Sequence, residues 1–246
     1  MLSQAVILAG GRGDRLRPLT DSIPKPMAPI NKIPFLDYLI QSIIDVKIKN
    51  ILILLGYKSE VIIDRYSNIN NINIEFSYAK EECLTGTRVI NAYDKLENHF
   101  LLMYGDNYWP ISINEMWKKY QELDIDILTT VFSNLNGTGE YGFENNICVD
   151  SNNKVIKYDK KRKSKCSNGV DIGYFIISKR VLDNKNNKNF SFEENLLPKF
   201  IHNSRLGAYV TDTQYYFITN YSTLQEFEKA TKKNNFYPIS SHFFDK

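Results

Sequence analysis

Apolar, β-branched runs alternate with amphipathic segments over the first 130 residues, and this alternation limits the folds open to the chain. The predicted strands are Ala5 to Leu8, Ile51 to Leu55, Ile72 to Phe76, Phe100 to Tyr104 and Ile127 to Phe132. After Pro34, which suits a first helical position, apolar residues recur at helical spacing from Phe35 to Ile44 and predict a buried helix. Alternating strands and helices form βαβ units, so we expect a three-layer α/β fold around a mostly parallel, twisted sheet.

The second half of the chain is less regular. Strands are expected at Tyr141 to Val149, Asp171 to Ile177 and Ala208 to Thr211, a helix from Glu194, and a surface loop at Asn184 to Asn189. No linker-like shift in composition separates the two halves. We therefore expect one domain over residues 1–246. Its first half covers roughly residues 1–130, and its second half, roughly 131–246, adds an insertion and the remaining strands of the same sheet.

Composition excludes several classes of protein. With 43% hydrophobic residues, a net charge of +3 and no apolar run of membrane-spanning length, we expect a globular, cytoplasmic protein without a membrane partner. Three cysteines without metal-ligand spacing predict free thiols. Basic residues cluster between Lys157 and Lys165, and this segment is either a solvated loop or a loop that faces a phosphate. Because the cluster lacks a series of aromatic residues interleaved with these charges, it does not predict a nucleic-acid partner.

A glycine-rich segment follows the first predicted strand directly. It reads Leu8-Ala9-Gly10-Gly11-Arg12-Gly13-Asp14-Arg15-Leu16-Arg17-Pro18-Leu19-Thr20, and Pro24-Lys25-Pro26 comes soon after it. Backbone N–H groups of such a turn can approach phosphates closely because no Cβ intervenes, and two nearby cations add to the attraction. The segment therefore predicts a site for a nucleoside triphosphate.

Two commoner phosphate motifs do not fit this segment. A dinucleotide fingerprint needs a third glycine where Leu16 stands, and a Walker loop needs a glycine, a lysine and a hydroxyl at a spacing that is missing here. The sequence therefore favours neither an NAD enzyme nor a P-loop ATPase.

Taken together, these segments resemble the sugar-1-phosphate nucleotidylyltransferase family, whose signature is G-G-x-G-[TS]-R-L-x-P-[LT]-T followed by K-P-[ML]-x-P. The match runs from Gly10 to Thr20 and continues at Lys25-Pro26-Met27-Ala28-Pro29. The resemblance implies a Rossmann-like nucleotidyltransferase fold. One departure is Asp14, which stands where the family has Thr or Ser.

For the nucleotide, the resemblance implies contacts from the glycine-rich turn and from a second turn after Cys83. The second turn has Thr and Gly exchanged relative to the family's L-G-T-G, which leaves the choice of base open. The implied nucleotide-binding residues are Leu8, Ala9, Gly10, Gly11, Arg12, Gly13, Asp14, Thr85, Gly86 and Thr87.

For catalysis, the resemblance implies Arg15, Lys25 and Asp106, with Asp106 at the family's G-D position and holding Mg²⁺ as cofactor. The family's W-x-D-x-G-T motif corresponds to Tyr216-Phe217-Ile218-Thr219-Asn220-Tyr221. Asn220 thus replaces the second metal-binding aspartate. An amide oxygen can still bind Mg²⁺, but one negative charge is lost.

For the sugar phosphate, the implied residues are Gly142, Asp159, Lys160, Asn168 and Asp171. Asp159-Lys160-Lys161 departs from the family's E-K-P, so the phosphate-binding lysine is either Lys160 or Lys161.

The resemblance implies transfer of a nucleotidyl group from an NTP to a sugar 1-phosphate, with release of pyrophosphate and formation of an activated nucleotide sugar for capsule, lipopolysaccharide or another glycan. GTP with heptose or mannose 1-phosphate is the preferred pair, and CTP or dTTP with glucose 1-phosphate comes next. The alternative is a non-catalytic paralogue that binds nucleotide sugars, suggested by Asp14 and Asn220. A homo-oligomer is left open.

Overall fold

The structure is a computed structural model that describes residues 2–183 and 188–244. Its strands are β1 (Gln4–Leu8), β2 (Pro29–Ile30), β3 (Ile33–Pro34), β4 (Asn50–Leu55), β5 (Asn73–Tyr78), β6 (His99–Tyr104), β7 (Asn107–Tyr108), β8 (Ile127–Phe132), β9 (Ile147–Val149), β10 (Val155–Tyr158), β11 (Val170–Ser178), β12 (Leu206–Thr211) and β13 (Tyr216–Phe217). Its α-helices are α1 (Phe35–Asp45), α2 (Ser59–Tyr66), α3 (Thr85–Asn91), α4 (Ile113–Glu122), α5 (Leu197–His202) and α6 (Tyr221–Asn234). Short 3₁₀ turns lie at Asp14–Leu16, Leu19–Asp21, Lys25–Met27, Tyr93–Lys95, Lys179–Leu182 and Ser241–Phe243, and a π-helical turn at Phe192–Leu196.

The chain divides into two compact units that are interleaved along the sequence. The first unit comprises Ser3–Glu82, Met103–Ile111 and Tyr216–Lys246. The second comprises Met1–Leu2, Cys83–Leu102 and Ser112–Tyr215. The predicted single domain with a division near residue 130 stays a prediction.

In the first unit the strand order is β1, β4, β5. β1 pairs with β4 in parallel, Gln4 opposite Asn50, and β4 pairs with β5 in parallel, Asn50 opposite Asn73. Val6, Ile7 and Ile53 have no exposed surface. Burial of each such side chain stabilises the fold by about 1.5–3 kcal/mol, which explains why β1 and β4 are almost continuously apolar.

Helix α1 forms where the apolar spacing predicts it, but it begins at Phe35, with Pro34 as its N-cap residue. Its inner face is fully buried at Phe35, Leu36, Leu39, Ile40 and Ile43. Phe227 of α6 packs edge-on against Phe35 with ring centroids 5.0 Å apart. This contact ties the last helix to the first one within the same unit.

In the second unit the strand order is β12, β8, β11, β6. β12 pairs with β8 in parallel, whereas β11 pairs with β8 antiparallel. β9 and β10 form a separate antiparallel pair in which Cys148 lies opposite Lys157. The pairs β1–β4, β4–β5 and β12–β8 are parallel and β11–β8 is antiparallel, so the predicted α/β class with a mostly parallel sheet is confirmed.

The expected strand from Tyr141 to Val149 is wrong over most of its length, because only Ile147–Val149 is a strand. Gly137 and Gly142 have positive φ values, which bend the chain into turns. The Asn134 amide fixes these turns by donating to the Gly142 carbonyl at 2.9 Å and accepting from the Gly139 N–H at 2.9 Å.

The helix expected from Glu194 begins instead as the π-helical turn at Phe192, where the Ser191 hydroxyl accepts from the Glu194 N–H at 3.1 Å. Of the loop expected at Asn184 to Asn189, residues 184–187 lie outside the described residues. Within residues 2–183 and 188–244, no helix combines the length and the apolar character needed to cross a membrane.

Candidate functional site

The glycine-rich turn begins where β1 ends, in the first unit. The Ala9 N–H donates to the Leu54 carbonyl at 3.0 Å, and the Gly10 carbonyl accepts from the Tyr57 N–H at 3.2 Å. Gly13 has φ +71°, and a Cβ added there would lie 2.8 Å from the Lys25 Cβ. Glycine is therefore required at position 13 both for the backbone conformation and for the close approach of Lys25.

Two residues that the sequence reasoning did not single out hold this turn in place. The buried Thr20 hydroxyl donates to the Gly13 carbonyl at 3.0 Å. The Tyr57 hydroxyl donates to the Thr20 carbonyl at 2.9 Å. Thr20 belongs to the glycine-rich motif and could have been found from it, whereas no sequence signal marks Tyr57.

Lys25 and Asp106 form an ion pair 2.7 Å apart, although 81 residues separate them. Lys25 lies in a 3₁₀ turn and its side chain is 12% exposed, while Asp106 follows β6 and its side chain is 38% exposed. The structure thus joins two of the three side chains expected to act in catalysis.

Gly105 makes this meeting possible. Its N–H donates to the Leu8 carbonyl at 3.0 Å, which joins the end of β6 to the end of β1. A Cβ at this position would lie 2.6 Å from that same carbonyl oxygen. Any larger residue would force apart the glycine-rich turn and the segment that carries Asp106.

The other charged residues of the turn have specific partners. Arg12 forms an ion pair with Glu81 at 2.9 Å and lies over the Tyr57 ring, and the hydrogen bond that Arg12 donates to Glu81 raises the pKa of Arg12. Asp14 forms an ion pair with Arg17 at 3.0 Å, so a cation offsets the acid that departs from the family pattern. Arg15 lies in the same 3₁₀ turn as Asp14, with an exposed side chain.

Asn220 is the N-cap residue of α6. Its side-chain oxygen accepts from the Thr223 N–H at 3.0 Å, and the Thr223 hydroxyl accepts from the Asn220 N–H at 3.0 Å. The preceding strand β13 pairs with β7, and the Ile218 N–H donates to the Asp106 carbonyl at 3.0 Å. Asn220 therefore follows a segment that is anchored on Asp106, but its amide oxygen already has one hydrogen-bonding role.

The side-chain oxygens of Asp106 and Asn220 suit a magnesium ion that keeps most of its water ligands. Within residues 2–183 and 188–244, no group of three or more His, Cys, Asp or Glu side chains is arranged to hold a metal ion. Mg²⁺ characteristically takes one or two carboxylates and completes its shell with water and substrate phosphates. Asp106, with Asn220, fits that requirement.

The turn Thr85–Thr87 lies in the second unit at the start of α3, and its hydroxyls serve the fold. Thr85 donates to the Glu193 carboxylate at 2.7 Å, and Thr87 donates to the Asn189 side chain at 3.0 Å. A Cβ on Gly86 would lie 2.2 Å from the Phe190 ring. These residues hold segment 189–193, and their nucleotide-binding role stays a prediction.

The residues expected to bind the sugar phosphate also lie in the second unit. The Asp159 carboxylate accepts from the Lys161 N–H at 3.1 Å and the Lys163 N–H at 2.9 Å. Lys160 forms an ion pair with Glu194 at 3.5 Å, and both side chains are more than half exposed. Asn168 bonds both backbone polar groups of Val149, while the Gly142 carbonyl accepts from Asn134. Their ligand-binding roles stay predictions.

Asp171 is the member of this set whose titration is most altered. Removal of surrounding water raises the pKa of Asp171 from 3.8 to about 6, and the nearby Glu193 charge acts in the same direction. Hydrogen bonds from the Gly173 N–H at 3.1 Å and the Thr129 hydroxyl at 2.9 Å oppose this rise. The carboxyl therefore titrates close to neutral pH.

The raised pKa of Asp171 predicts a pH-dependent stability. Between pH 3.8 and about 6 the folded state binds a proton that the unfolded state does not, so this contribution is complete at low pH and is lost as pH rises through 6. At about 1.4 kcal/mol per pKa unit, Asp171→Asn should stabilise the protein by about 2–3 kcal/mol at pH 8 and hardly at all at pH 4. Urea unfolding at both pH values tests this. The exposed Asp212→Asn is the matched control, and an equal effect of Asp171→Asn at both pH values would contradict the expectation.

The sequence matches the family model described as "Nucleotidyl transferase" over residues 4–222. The chain belongs to the nucleotidyl transferase family. Two relatives are named D-glycero-alpha-D-manno-heptose 1-phosphate guanylyltransferase. The one from Aneurinibacillus thermoaerophilus is 28% identical and covers 95% of this chain and 99% of the relative, and the one from Campylobacter jejuni is 31% identical and covers 78% and 83%.

Solved structures agree with this placement. The crystal structure of HddC from Yersinia pseudotuberculosis has a TM-score of 0.79 at 27% identity and covers 93% of this nucleotidyl transferase and 99% of HddC. The same protein complexed with GMP-PN has a TM-score of 0.78. The resemblance to sugar-1-phosphate nucleotidylyltransferases is thus confirmed.

Proposed function

We propose that this nucleotidyl transferase joins a nucleoside triphosphate to a sugar 1-phosphate in a Mg²⁺-dependent reaction that releases pyrophosphate and forms an NDP-sugar. The observation that carries the proposal is the Lys25–Asp106 pair, 2.7 Å apart and next to the glycine-rich turn that follows β1. It places a cation and an oxygen ligand for a metal ion beside backbone suited to phosphates.

The proposed substrates are GTP and D-glycero-α-D-manno-heptose 1-phosphate. Two relatives, 28% and 31% identical to this chain, are named D-glycero-alpha-D-manno-heptose 1-phosphate guanylyltransferase. The similar HddC structure is complexed with GMP-PN. Mannose 1-phosphate with GTP is the next pair, followed by glucose 1-phosphate with CTP or dTTP. The altered turn at Thr85–Thr87 leaves this ranking to experiment.

The chemistry needs no activated nucleophile from the protein. A phosphate monoester carries about −1.5 to −2 charges near pH 7, so its oxygen can attack the α-phosphorus of the nucleotide directly as pyrophosphate leaves. The main barrier is repulsion between two anions. The protein therefore contributes positioned cations and backbone N–H groups.

Each residue of the site has a proposed part in this reaction. Lys25 exchanges Asp106 for a phosphate oxygen and neutralises charge that develops during transfer, and Arg15 assists on the triphosphate. Asp106 and Asn220 hold Mg²⁺, which when bound supplies charge neutralisation between the phosphates. Lys160, or its neighbour Lys161, binds the incoming sugar phosphate, with Gly142, Asp159, Asn168 and Asp171 around it.

Pyrophosphate release tests the function directly. GTP, CTP, UTP and dTTP are each incubated with Mg²⁺ and a panel of hexose and heptose 1-phosphates, with choline phosphate as a non-sugar control. Turnover with one pair, abolished by EDTA and restored by added Mg²⁺, is expected. If no pair releases pyrophosphate while a nucleotide sugar still raises the melting temperature, the protein is a non-catalytic binder and the proposal is wrong.

The two roles of Asn220 can be separated by two substitutions. Asp caps helices as well as Asn does, so Asn220→Asp should keep α6 intact, add a negative charge and lower the Mg²⁺ concentration needed for half-maximal rate by several-fold. Asn220→Ala should lose the cap, at a cost of about 1 kcal/mol, and raise that concentration. Ser222→Ala, two residues further along the chain, is the matched control.

The measurement is a magnesium titration of the initial rate beside thermal unfolding of each variant. An unchanged magnesium requirement in Asn220→Asp would assign Asn220 to the helix cap alone.

A further inference from the structure

The segment from Asp159 to Asn168 is fastened to β9 within the second unit. The Asn168 side chain donates to the Val149 carbonyl at 2.8 Å and accepts from the Val149 N–H at 2.9 Å. The Asn168 N–H also donates to the Ile147 carbonyl at 2.9 Å. Three hydrogen bonds therefore hold residue 168 beside the strand that carries Cys148.

This arrangement brings two thiols together. Cys148 is 4% exposed, whereas Cys166 is exposed two residues before Asn168. The pKa of each thiol is shifted by the other sulfur, which indicates that the two sulfurs lie close together, and the Ser164 hydroxyl oxygen lies 3.2 Å from the Cys166 sulfur. Both cysteines are free thiols in this structure.

The two sulfurs differ in reactivity. Hydrogen bonds from Ser164 and Cys148 lower the pKa of Cys166, and the Lys157 charge adds to this effect. Burial and the Cys166 sulfur raise the pKa of Cys148 to about 11. An exposed thiol with a lowered pKa beside a buried thiol with a raised pKa is the arrangement in which the first sulfur reacts with an oxidant and the second one resolves the product.

We propose that Cys166 and Cys148 form an oxidant-sensitive pair, in which a hydroperoxide oxidises Cys166 and Cys148 closes a disulfide to β9. The Cys166 thiolate attacks one peroxide oxygen, the O–O bond breaks, and after uptake of a proton the products are Cys166 sulfenic acid and water (or an alcohol). The Cys148 sulfur then attacks the sulfenic sulfur, the S–O bond breaks, and a second water leaves with the Cys148 proton. In sum, two thiols and one hydroperoxide give one disulfide, and the peroxide is reduced.

The disulfide would act on the loop that carries Asp159 and Lys160. Cys166 lies between these residues and Asn168, so a covalent bond to β9 restricts the loop on which the sugar-phosphate contacts are proposed. This consequence rests on the proposed function, whereas formation of the disulfide does not. Reduction by a thiol reverses it.

Mass spectrometry of the full-length protein after treatment with hydrogen peroxide tests the chemistry. We expect the thiol count to fall from three to one and a proteolytic digest to contain a Cys148–Cys166 crosslink that disappears with dithiothreitol. Cys83→Ser is the matched control and should still form the crosslink. In Cys148→Ser, oxidation should stop at oxygen adducts on Cys166, and Cys166→Ser should lose no other thiol at the same peroxide dose.

Failure to crosslink the wild-type protein, or pairing through Cys83, overturns the proposal. The functional readout is the KM for the sugar 1-phosphate. In the wild-type protein and in Cys83→Ser, this KM should rise several-fold on oxidation and return to its initial value with dithiothreitol. In Cys166→Ser, oxidation should leave the KM unchanged. A crosslink that leaves KM unchanged overturns the control of the loop. An enzyme inactive even when reduced counts against the proposed function, while the crosslink still decides the redox chemistry.

Discussion

Replacing Lys25 by Ala is expected to lower kcat by about 100-fold or more, as loss of one preorganised charge-stabilising group does in other enzymes. Lys25 is 12% exposed and 2.7 Å from Asp106, so its ammonium is fixed before substrate arrives. A charge held in place in this way stabilises the transition state without reorganisation. Steady-state pyrophosphate release at saturating substrates measures the effect.

The control for this variant is Lys49→Ala, which removes an exposed lysine from the same unit. Both variants should unfold cooperatively, and Lys49→Ala should keep wild-type kcat. Wild-type turnover in Lys25→Ala would remove Lys25 from the reaction. Binding of metal-free nucleotide should also weaken in Lys25→Ala, because a cation that attracts phosphates is gone.

Asp106→Asn is expected to reduce kcat by a similar factor of about 100, since metal-ion charge stabilisation is worth several kcal/mol and each 1.36 kcal/mol is tenfold in rate. The amide preserves the size of the side chain but loses the charge. Because the carboxylate no longer holds Lys25, metal-free nucleotide should bind more tightly, which is opposite to the effect of Lys25→Ala. Initial rates measured across magnesium concentrations give the magnesium dependence of kcat. Calorimetric titration with nucleotide in EDTA gives the affinity for metal-free nucleotide.

Asp45→Asn is the matched control, because Asp45 is exposed on α1 of the same unit and accepts a hydrogen bond from Gln41 that an amide oxygen can also accept. It should change neither quantity. If Asp106→Asn left the magnesium dependence unaltered, Asp106 would not be the metal ligand. Opposite shifts in nucleotide affinity for the Lys25 and Asp106 variants would show that the pair restrains Lys25 before binding.

Local sequence signals predicted the strands of roughly the first 130 residues well. Apolar runs gave β1, β4, β5, β6 and β8 within a few residues, and in β1, β4, β6 and β8 this is because burial of a strand on both faces demands a continuous apolar stretch. The second half was harder, since Asn134 and the glycines near it override the strand propensity of Tyr141 to Asn146 through side-chain hydrogen bonds. Such bonds depend on the orientation of a single side chain and leave no periodic pattern.

The sequence by itself determined the α/β class and the glycine-rich turn, because strand burial and phosphate binding each require particular residue types at short spacings. The family resemblance assigned catalysis to Lys25 and Asp106, and these roles stay predictions. Only the tertiary structure decided that Gly105 joins β6 to the end of β1, that Thr20 and Tyr57 hold the turn, and that Asn220 caps α6. It also fastened Asn168, two residues after Cys166, to the strand that carries Cys148. These contacts join residues far apart in the chain or use side-chain atoms with several possible partners, so packing selects among them and local pattern does not.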